Sequence, residues 1–413
     1  MQTTVGLDFG THQTKVCVEQ KEGAELSYEF FTFKDNRNRK RFALPSVLSI
    51  NEDHISYGFI PYKDQGTLAR YFKQAAFTDK NDIIDKTDAI YYSIWYIAFL
   101  LFDIEEKYGN EFTIQMGVPT DGEHLDEKRE LAVRILLSAY KLVEEIFMNN
   151  KNLFLTTSMQ ELYDKTEFVS FSEEQKMLYS ILVFPEAYAC LMPLTTTKKI
   201  ASGMSLMLDI GGGTTDISFF TINPGNYRPM VYDFYSLNKG LNFLTDADNI
   251  ANKRKDSIIK EEKQILDCRE EEYKMDIRKL SQNLWNHLIF EYQKSGRPLH
   301  YFKEALKGRP LIYVGGGSTF KTICTDYGGF SDIIQISDKE WKKDAVKDMD
   351  LIMEQNLCPI LSTAYGLSIS VVDDNIEKTP FNTLFKGIMP NNSFKINNSG
   401  MAFDKYSAYD SED

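Results

Sequence analysis

The stretch "MLDIGGGTTDISFF", residues 207–220, decides the fold. It reads as a strand, breaks at Gly211, Gly212 and Gly213, and resumes as a strand, with Asp209 before the break and Asp216 after it. Glycine inside a strand costs conformational entropy and packs nothing, so three in a row need a reason. A tight glycine turn points successive backbone N–H groups into one space, an anion-binding concavity. Without β-carbons, a phosphate can approach the main chain closely.

The same design occurs at the N-terminus, where "GLDFGTHQTKVCV" places Asp8 at the end of an apolar strand, then Gly10, then hydroxyls, then a second strand. Two such units imply two related domains facing each other. Thr11, Thr14, Thr214 and Thr215 add hydroxyl donors, and Lys15 adds a cation. Asp8, Asp209 and Asp216 would repel a bare phosphate. With Mg²⁺ between them the repulsion becomes attraction, because magnesium keeps several waters and takes few carboxylates. The pair of turns therefore suits the phosphates of a Mg-nucleotide. The chain contains neither a G-x-x-x-x-G-K-[ST] phosphate loop nor a G-x-G-x-x-G dinucleotide fingerprint. Its five histidines show no metal-ligand spacing and no Ser-His-Asp set.

Composition sets the surrounding bounds. At 413 residues, 43% hydrophobic and 13% aromatic, the chain has material for two or more packed domains. A net charge of −13 argues against a general nucleic-acid binder. The clearest basic cluster, "KDNRNRKR" at 34–41, reads as a solvated loop, with a patch for an acidic partner as the other reading. Five scattered cysteines without a C-x-x-C pair suit free thiols in a reducing compartment. "AIYYSIWYIAFLLF", 89–102, falls short of the roughly 20 apolar residues that span a bilayer, so a buried helix is expected. The N-terminus carries no secretory pattern, and a cytoplasmic location is expected.

Along the chain, strands are expected over 3–19, at "ALPSVLSI" and "HISYGFI", at 112–119, around 182–186, over 204–222 and at 311–314. Helices are expected over most of 66–110, over 126–147, across a charged block from about 243 to 294, and at 359–370. Residues 148–180 are less legible, and the polar segment 373–413 reads as a loosely held tail.

"GLDFGTHQTKVCV", "MLDIGGGTTDISFF" and "LIYVGGGSTF" (311–320) resemble the phosphate-1, phosphate-2 and adenosine motifs of the actin, heat-shock protein 70 and sugar-kinase ATPase superfamily, in that family's order. "FPEAYACL" and "STAYGLSIS" resemble its connecting helices. The resemblance implies an α/β fold of two actin-like ATPase domains with duplicated RNase H-like mixed sheets and a nucleotide cleft between them. Domain I would cover 1–195 and domain II 196–372, with the last helix returning toward domain I. By motif, Asp8 and Asp209 would hold the water shell of Mg²⁺. Gly10, Thr11, His12, Lys15 and Gly211, Gly212, Gly213, Thr214 and Thr215 would line the phosphates, and Gly315, Gly316, Gly317 and Ser318 the nucleoside of ATP or ADP. The catalytic carboxylates would be Glu186, Asp216 and Asp8. Glu186 follows Pro185 as in plasmid-segregating actin-like ATPases. It is the candidate for orienting the attacking water, the other reading being a carboxylate that merely complements a helix N-terminus. His12 could contact a phosphate or point to solvent.

"IQMGVPT" before a long helix, and "NKGLNFL" after the second turn, lean toward the heat-shock protein 70 side. The stretch after 370 is too short for a peptide-clamping domain, so an isolated, divergent ATPase module is expected. It would act as a nucleotide-dependent switch on a partner or client protein, touching neither nucleic acid nor membrane. The alternative is a self-associating, filament-forming actin-like ATPase. A small-molecule kinase fits less well, since no substrate-activating base is identifiable.

Overall fold

The computed structural model describes residues 1–51, 54–61, 63–78, 84–119, 124–197, 203–222, 229–245, 267–296, 298–306, 309–326, 332–335, 341 and 343–374. The chain is a mixed α/β protein built around two mixed sheets. In the first, the strand order is Ile181–Pro185, Thr113–Val118, Gln2–Asp8, Gln13–Glu22, Glu25–Phe30, with the short strand Leu44–Pro45 paired to Gln13–Thr14. The first three strands run parallel and the last two return antiparallel. In the second, the order is Asp332–Gln335, Pro310–Val314, Gly203–Ile210, Thr215–Ile222, Met230–Leu237. Its senses repeat the first: two parallel pairings, then two antiparallel ones. The duplication in the sequence is thus a duplication of topology.

The parallel strands read as continuous apolar runs because both of their faces are covered. Val5, Leu7, Ile114, Met116, Ile181 and Val183 are fully buried in the first sheet, and Leu206, Leu208, Leu311 and Val314 in the second. Over the first sheet lie helices Lys86–Tyr108 and Leu125–Tyr140. The first of these holds the apolar run 89–102, with Ile94, Trp95, Ile97, Ala98 and Leu101 all buried. No helix among the described residues is long and apolar enough to cross a membrane. Helix Asp267–Lys294 packs Tyr273, Ile277, Leu284, Leu288 and Tyr292 against the second sheet.

Two helices lie between the sheets, and they are exchanged. Helix Glu186–Thr197 continues directly from the edge strand of the first sheet, yet Ala187, Cys190, Leu191 and Leu194 pack on Met207, Phe220, Ile312 and Val314 of the second. Helix Cys358–Ser368 follows the second unit, yet Leu361, Ala364 and Tyr365 pack on Cys17, Tyr28 and Phe30 of the first. The two cross where Gly366 meets Ala189. A β-carbon on Gly366 would stand 1.8 Å from the Ala189 carbonyl oxygen, so only glycine permits this approach. The chain leading to this helix joins the first sheet too: Lys347 N–H donates to Tyr28 O at 2.9 Å, and Trp341 stacks between Phe30 and Tyr365. Beyond it, Gln115 Nε2 holds Ile369 O at 3.0 Å, and Asp374 accepts from Val183 N–H at 2.9 Å and pairs with Lys176 and Arg129. Domain II as expected from sequence, 196–372, therefore ends in a segment seated on the first sheet.

Several expectations need adjustment. Residues 67–70 are a strand in a three-stranded sheet with Val47–Ile50 and Ile55–Tyr57, rather than the start of the helical region. The helix expected over 126–147 is α-helical over Leu125–Tyr140 and widens to a π-turn at Lys141–Ile146. Residues 148–180 resolve into three short helices, Lys151–Thr156, Met159–Lys165 and Glu173–Leu178, each N-capped by an Asn or Ser side chain. Within the charged block expected over 243–294, residues 246–266 lie outside the described residues, as do Cys268's side chain and the tail from 375 onward.

Glu105, on the helix Lys86–Tyr108, is buried and neither carboxyl oxygen has a hydrogen-bond partner. Burial, and then the charge of Glu144, raises its pKa to about 7. A carboxyl whose pKa is higher in the folded chain favours folding below its ordinary value of 4.5 and loses that contribution as pH rises through 7. Glu105→Gln should therefore flatten the fall in stability between those pH values and raise Tm at pH 8 by roughly 2 °C or more. Thermal melts of both proteins at pH 5 and pH 8 test this, and an equal shift at both pH values would refute it.

Candidate functional site

Each glycine turn is the loop of an antiparallel pair whose register closes at equivalent positions. Asp8 faces Lys15 across the first pair, and Asp209 faces Asp216 across the second. Residues 9–14 and 210–215 thus correspond one to one. Thr14 and Thr215 are equivalent and both fully buried, bonding inward: Thr14 to Ser46 Oγ at 3.0 Å, Thr215 to Lys239 O at 2.8 Å and Tyr273 OH at 2.7 Å. The Thr215 hydroxyl, expected at the phosphates, is committed to the second unit's interior.

The two turns meet tip to tip. A β-carbon on Gly212 would stand 2.8 Å from His12 Cβ, and one on Gly213 would stand 3.1 Å from Thr11 Cγ2. Glycine is needed here for the approach of the opposite turn. The outer side of the second turn is held by Leu241 N–H to Gly211 O at 3.0 Å and Asn242 N–H to Gly212 O at 2.8 Å. The amides of Gly10 and Gly211 are used within the turns, on Asp8 O and Thr214 O. Gly10, expected to offer its amide, lines the cleft without doing so. The amides of Thr11, Gly212, Gly213 and Thr214 make no backbone hydrogen bond among the described residues. His12 stacks on Tyr71, with ring centroids 6.2 Å apart. Tyr71 itself holds the left-handed backbone at φ 60°, a conformation that costs a tyrosine about 1–3 kcal/mol.

Between the turns is a cleft of about 690 Å³, including the space open to solvent. Asp8, Thr11, His12, Lys15, Glu186, Asp209, Gly211, Gly212, Gly213, Thr214, Gly315 and Gly316 line it, as the motifs imply. Gly317 and Ser318 lie beside it instead. A β-carbon on Gly317 would overlap Ile210 at 2.0 Å, and the buried Ser318 hydroxyl donates to Gly315 O at 2.8 Å. Gly315, at φ 81°, leaves the space that Asp209 Oδ1 occupies, since a β-carbon there would lie 2.3 Å from that oxygen.

The chemistry of the cleft is set by charge. Three carboxylates, Asp8, Asp209 and Glu186, line it with two ammonium groups, Lys15 and Lys73; Asp216, expected among the catalytic carboxylates, is buried across the turn from Asp209 and does not line the cleft. Lys15 Nζ donates to Asp8 Oδ2 at 2.8 Å. Burial alone would lower the pKa of Lys15, but Asp8, and then Asp209 and Glu186, raise it. Lys73 Nζ donates to Glu186 Oε1 and sits 5.7 Å over the Phe9 ring. The remaining pair is short of positive charge. Burial, then Glu186 and Asp8, raises Asp209 to about 6, while Cys190 Sγ donates to its Oδ2 at 3.3 Å. Burial, then Asp209 and Glu186, raises Asp216 to about 8, and its Oδ1 is buried without a hydrogen-bond partner. Such a cluster takes up protons or a cation. Among the described residues no three His, Cys, Asp or Glu side chains converge as a direct metal cage. The set instead suits a cation that keeps its waters and meets one or two carboxylates, as magnesium does.

Lys73 is the residue that the sequence did not disclose. It lies in "FKQAAF", a short apolar helix, and its partner Glu186 is 113 positions away. The one local signal is a lysine among buried residues, itself only 3% exposed. Ile360 and Thr363, from the exchanged helix, also line the cleft and were not expected there. Lys73→Met strands the Glu186 carboxylate and should cost about 3 kcal/mol in chemical denaturation. The double variant Lys73→Met/Glu186→Gln should recover much of that loss; additive costs would show that the pair is uncoupled. A scan against protein-family models finds no match to this chain, and no curated protein matches it.

Proposed function

We propose that the chain binds a Mg-nucleoside triphosphate, ATP by the motif resemblance, between two actin-like ATPase domains, hydrolyses it slowly, and works as a nucleotide-dependent switch on a partner protein. The observation that carries this reading is the meeting of two equivalent glycine turns over one carboxylate cluster. The unpaired amides of Thr11, Gly212, Gly213 and Thr214 would receive phosphate oxygens from both sides. Asp8 and Asp209 would meet the metal through its waters. Magnesium, when bound, supplies the positive charge that the four carboxylates lack and offsets that of the phosphates.

Glu186 stands at the start of the helix Glu186–Thr197, at the cleft wall, and would orient the attacking water. Lys73 holds it in place. Asp216, behind Asp209, would accept a proton there when a cation has lowered its pKa. Because Ile360 and Thr363 sit on a helix packed against the first sheet, a ligand touching them and the second turn touches both units at once. Closure on that ligand is the switch.

Calorimetry should show binding of Mg-ATP that is lost when EDTA removes the metal. Asp209→Ala should abolish the Mg-dependent part. Glu186→Gln should retain binding and reduce phosphate release at least about tenfold. No heat with Mg-ATP on the intact chain would refute the reading, and unchanged turnover in Glu186→Gln would move the water-orienting role to Asp216. Light scattering should stay flat on adding ATP; an ATP-dependent rise would favour the filament-forming alternative.

A further inference from the structure

The basic run at 34–41 is folded rather than loose. Phe33–Lys34 and Lys40–Arg41 pair as a short hairpin, closed by Asp35 N–H to Arg39 O at 3.0 Å and Asn38 N–H to Asp35 O at 2.8 Å. Asp35 organises it from within. Its Oδ1 accepts the amides of Arg37 and Arg39, both at 2.9 Å, and its Oδ2 accepts Nε–H of Arg39 at 2.8 Å and of Arg41 at 2.9 Å. Burial alone would raise the Asp35 carboxyl, but these bonds hold it well below the usual carboxylate range. Asn36 Nδ2 pins the hairpin to Ile60 O at 2.8 Å.

The one acidic side chain in the hairpin is therefore turned inward, and five cations remain: Lys34, Arg37, Arg39, Lys40 and Arg41. Lys34, Arg37 and Lys40 are exposed and make no ion pair among the described residues. Arg39 and Arg41 engage Asp35 through Nε. Guanidinium groups held in a fixed plane match carboxylates edge to edge, and the fixed backbone means little ordering is left for a ligand to impose. This patch sits on a chain of net charge −13.

We propose that the hairpin Phe33–Arg41 is a docking site for an acidic polypeptide segment, a short run of Asp and Glu side chains supplied by a partner protein. A nucleic acid fits less well. Its evenly spaced phosphates would continue past this single hairpin onto a chain that carries 60 Asp and Glu against 47 Lys and Arg, whereas a short acidic segment ends where the hairpin does. The hairpin is also close in sequence to the cleft: Leu44 and Pro45 pair with Thr14 and Gln13, and Ser46 Oγ donates to Gly10 O at 2.7 Å. The docking itself does not depend on the nucleotide reading.

Fluorescence anisotropy with a labelled peptide of alternating Asp and Glu, on the full chain without nucleotide, tests the proposal. Binding should weaken as salt rises, and Arg37→Glu/Lys40→Glu, both at exposed positions, should weaken it at least tenfold. Asp35→Ala separates an organised site from diffuse charge. It makes the hairpin more positive yet removes the bonds that fix Arg37, Arg39 and Arg41, so binding should weaken severalfold. Tighter peptide binding by Asp35→Ala would overturn the proposal. So would binding indifferent to Arg37→Glu/Lys40→Glu, or a single-stranded oligonucleotide binding through the hairpin where the peptide does not.

Discussion

The site rests on an electrostatic imbalance at the place where two sheets meet. Each sheet ends its central strand in an aspartate, Asp8 in one and Asp209 in the other, and the register offers each a partner directly across the turn. In the first unit that partner is Lys15, and the pair is neutral. In the second it is Asp216, and the pair is not. Desolvation makes the difference expensive, because charges removed from water must be paired or must take up protons. Lys73 and Glu186 form a second neutral pair on the cleft wall. What stays unmatched is the Asp209–Asp216 pair, and the cleft's chemistry follows from it.

The two turns therefore divide the work despite their shared geometry. The second, with three glycines, keeps the amides of Gly212 and Gly213 available and lets His12 and Thr11 come within contact distance. The first carries side chains, among them His12 stacked on Tyr71, and brings the cation. The equivalent register of the two strand pairs accounts for the common turn length. The exchange of lysine for aspartate at one register position accounts for the asymmetry.

The duplication could be read from the sequence because it depends on local chemistry: apolar strand, aspartate, glycine, hydroxyl, apolar strand. The residues that line the cleft came from those turns, and the structure brings most of them together. Lys73 was not legible, because its meaning depends on Glu186, which the fold brings to it from a different element. Thr215 and Ser318 looked like ligand donors, since a hydroxyl beside a glycine turn reads the same whether it faces the cleft or the core; here Tyr273 and Gly315 hold them. The strand at 67–70 was hidden by the helical residues around it, because three-stranded pairing with 47–50 is a long-range decision.

The exchanged helices carry a consequence for how the chain comes into being. The first sheet is assembled from residues 2–30, 113–118 and 181–185, but the helix that seals its inner face, Cys358–Ser368, is made only after every strand of the second sheet. Until that helix emerges from the ribosome, Cys17, Tyr28 and the groove at Gly6 lack the cover it gives them. The helix that follows the first sheet, Glu186–Thr197, likewise waits for strands that are not yet translated. The first unit cannot finish folding before the second has been made, and its apolar face stays open until then. A protein arranged this way completes its first sheet in a late step, and until then it exposes apolar surface of the kind that aggregates.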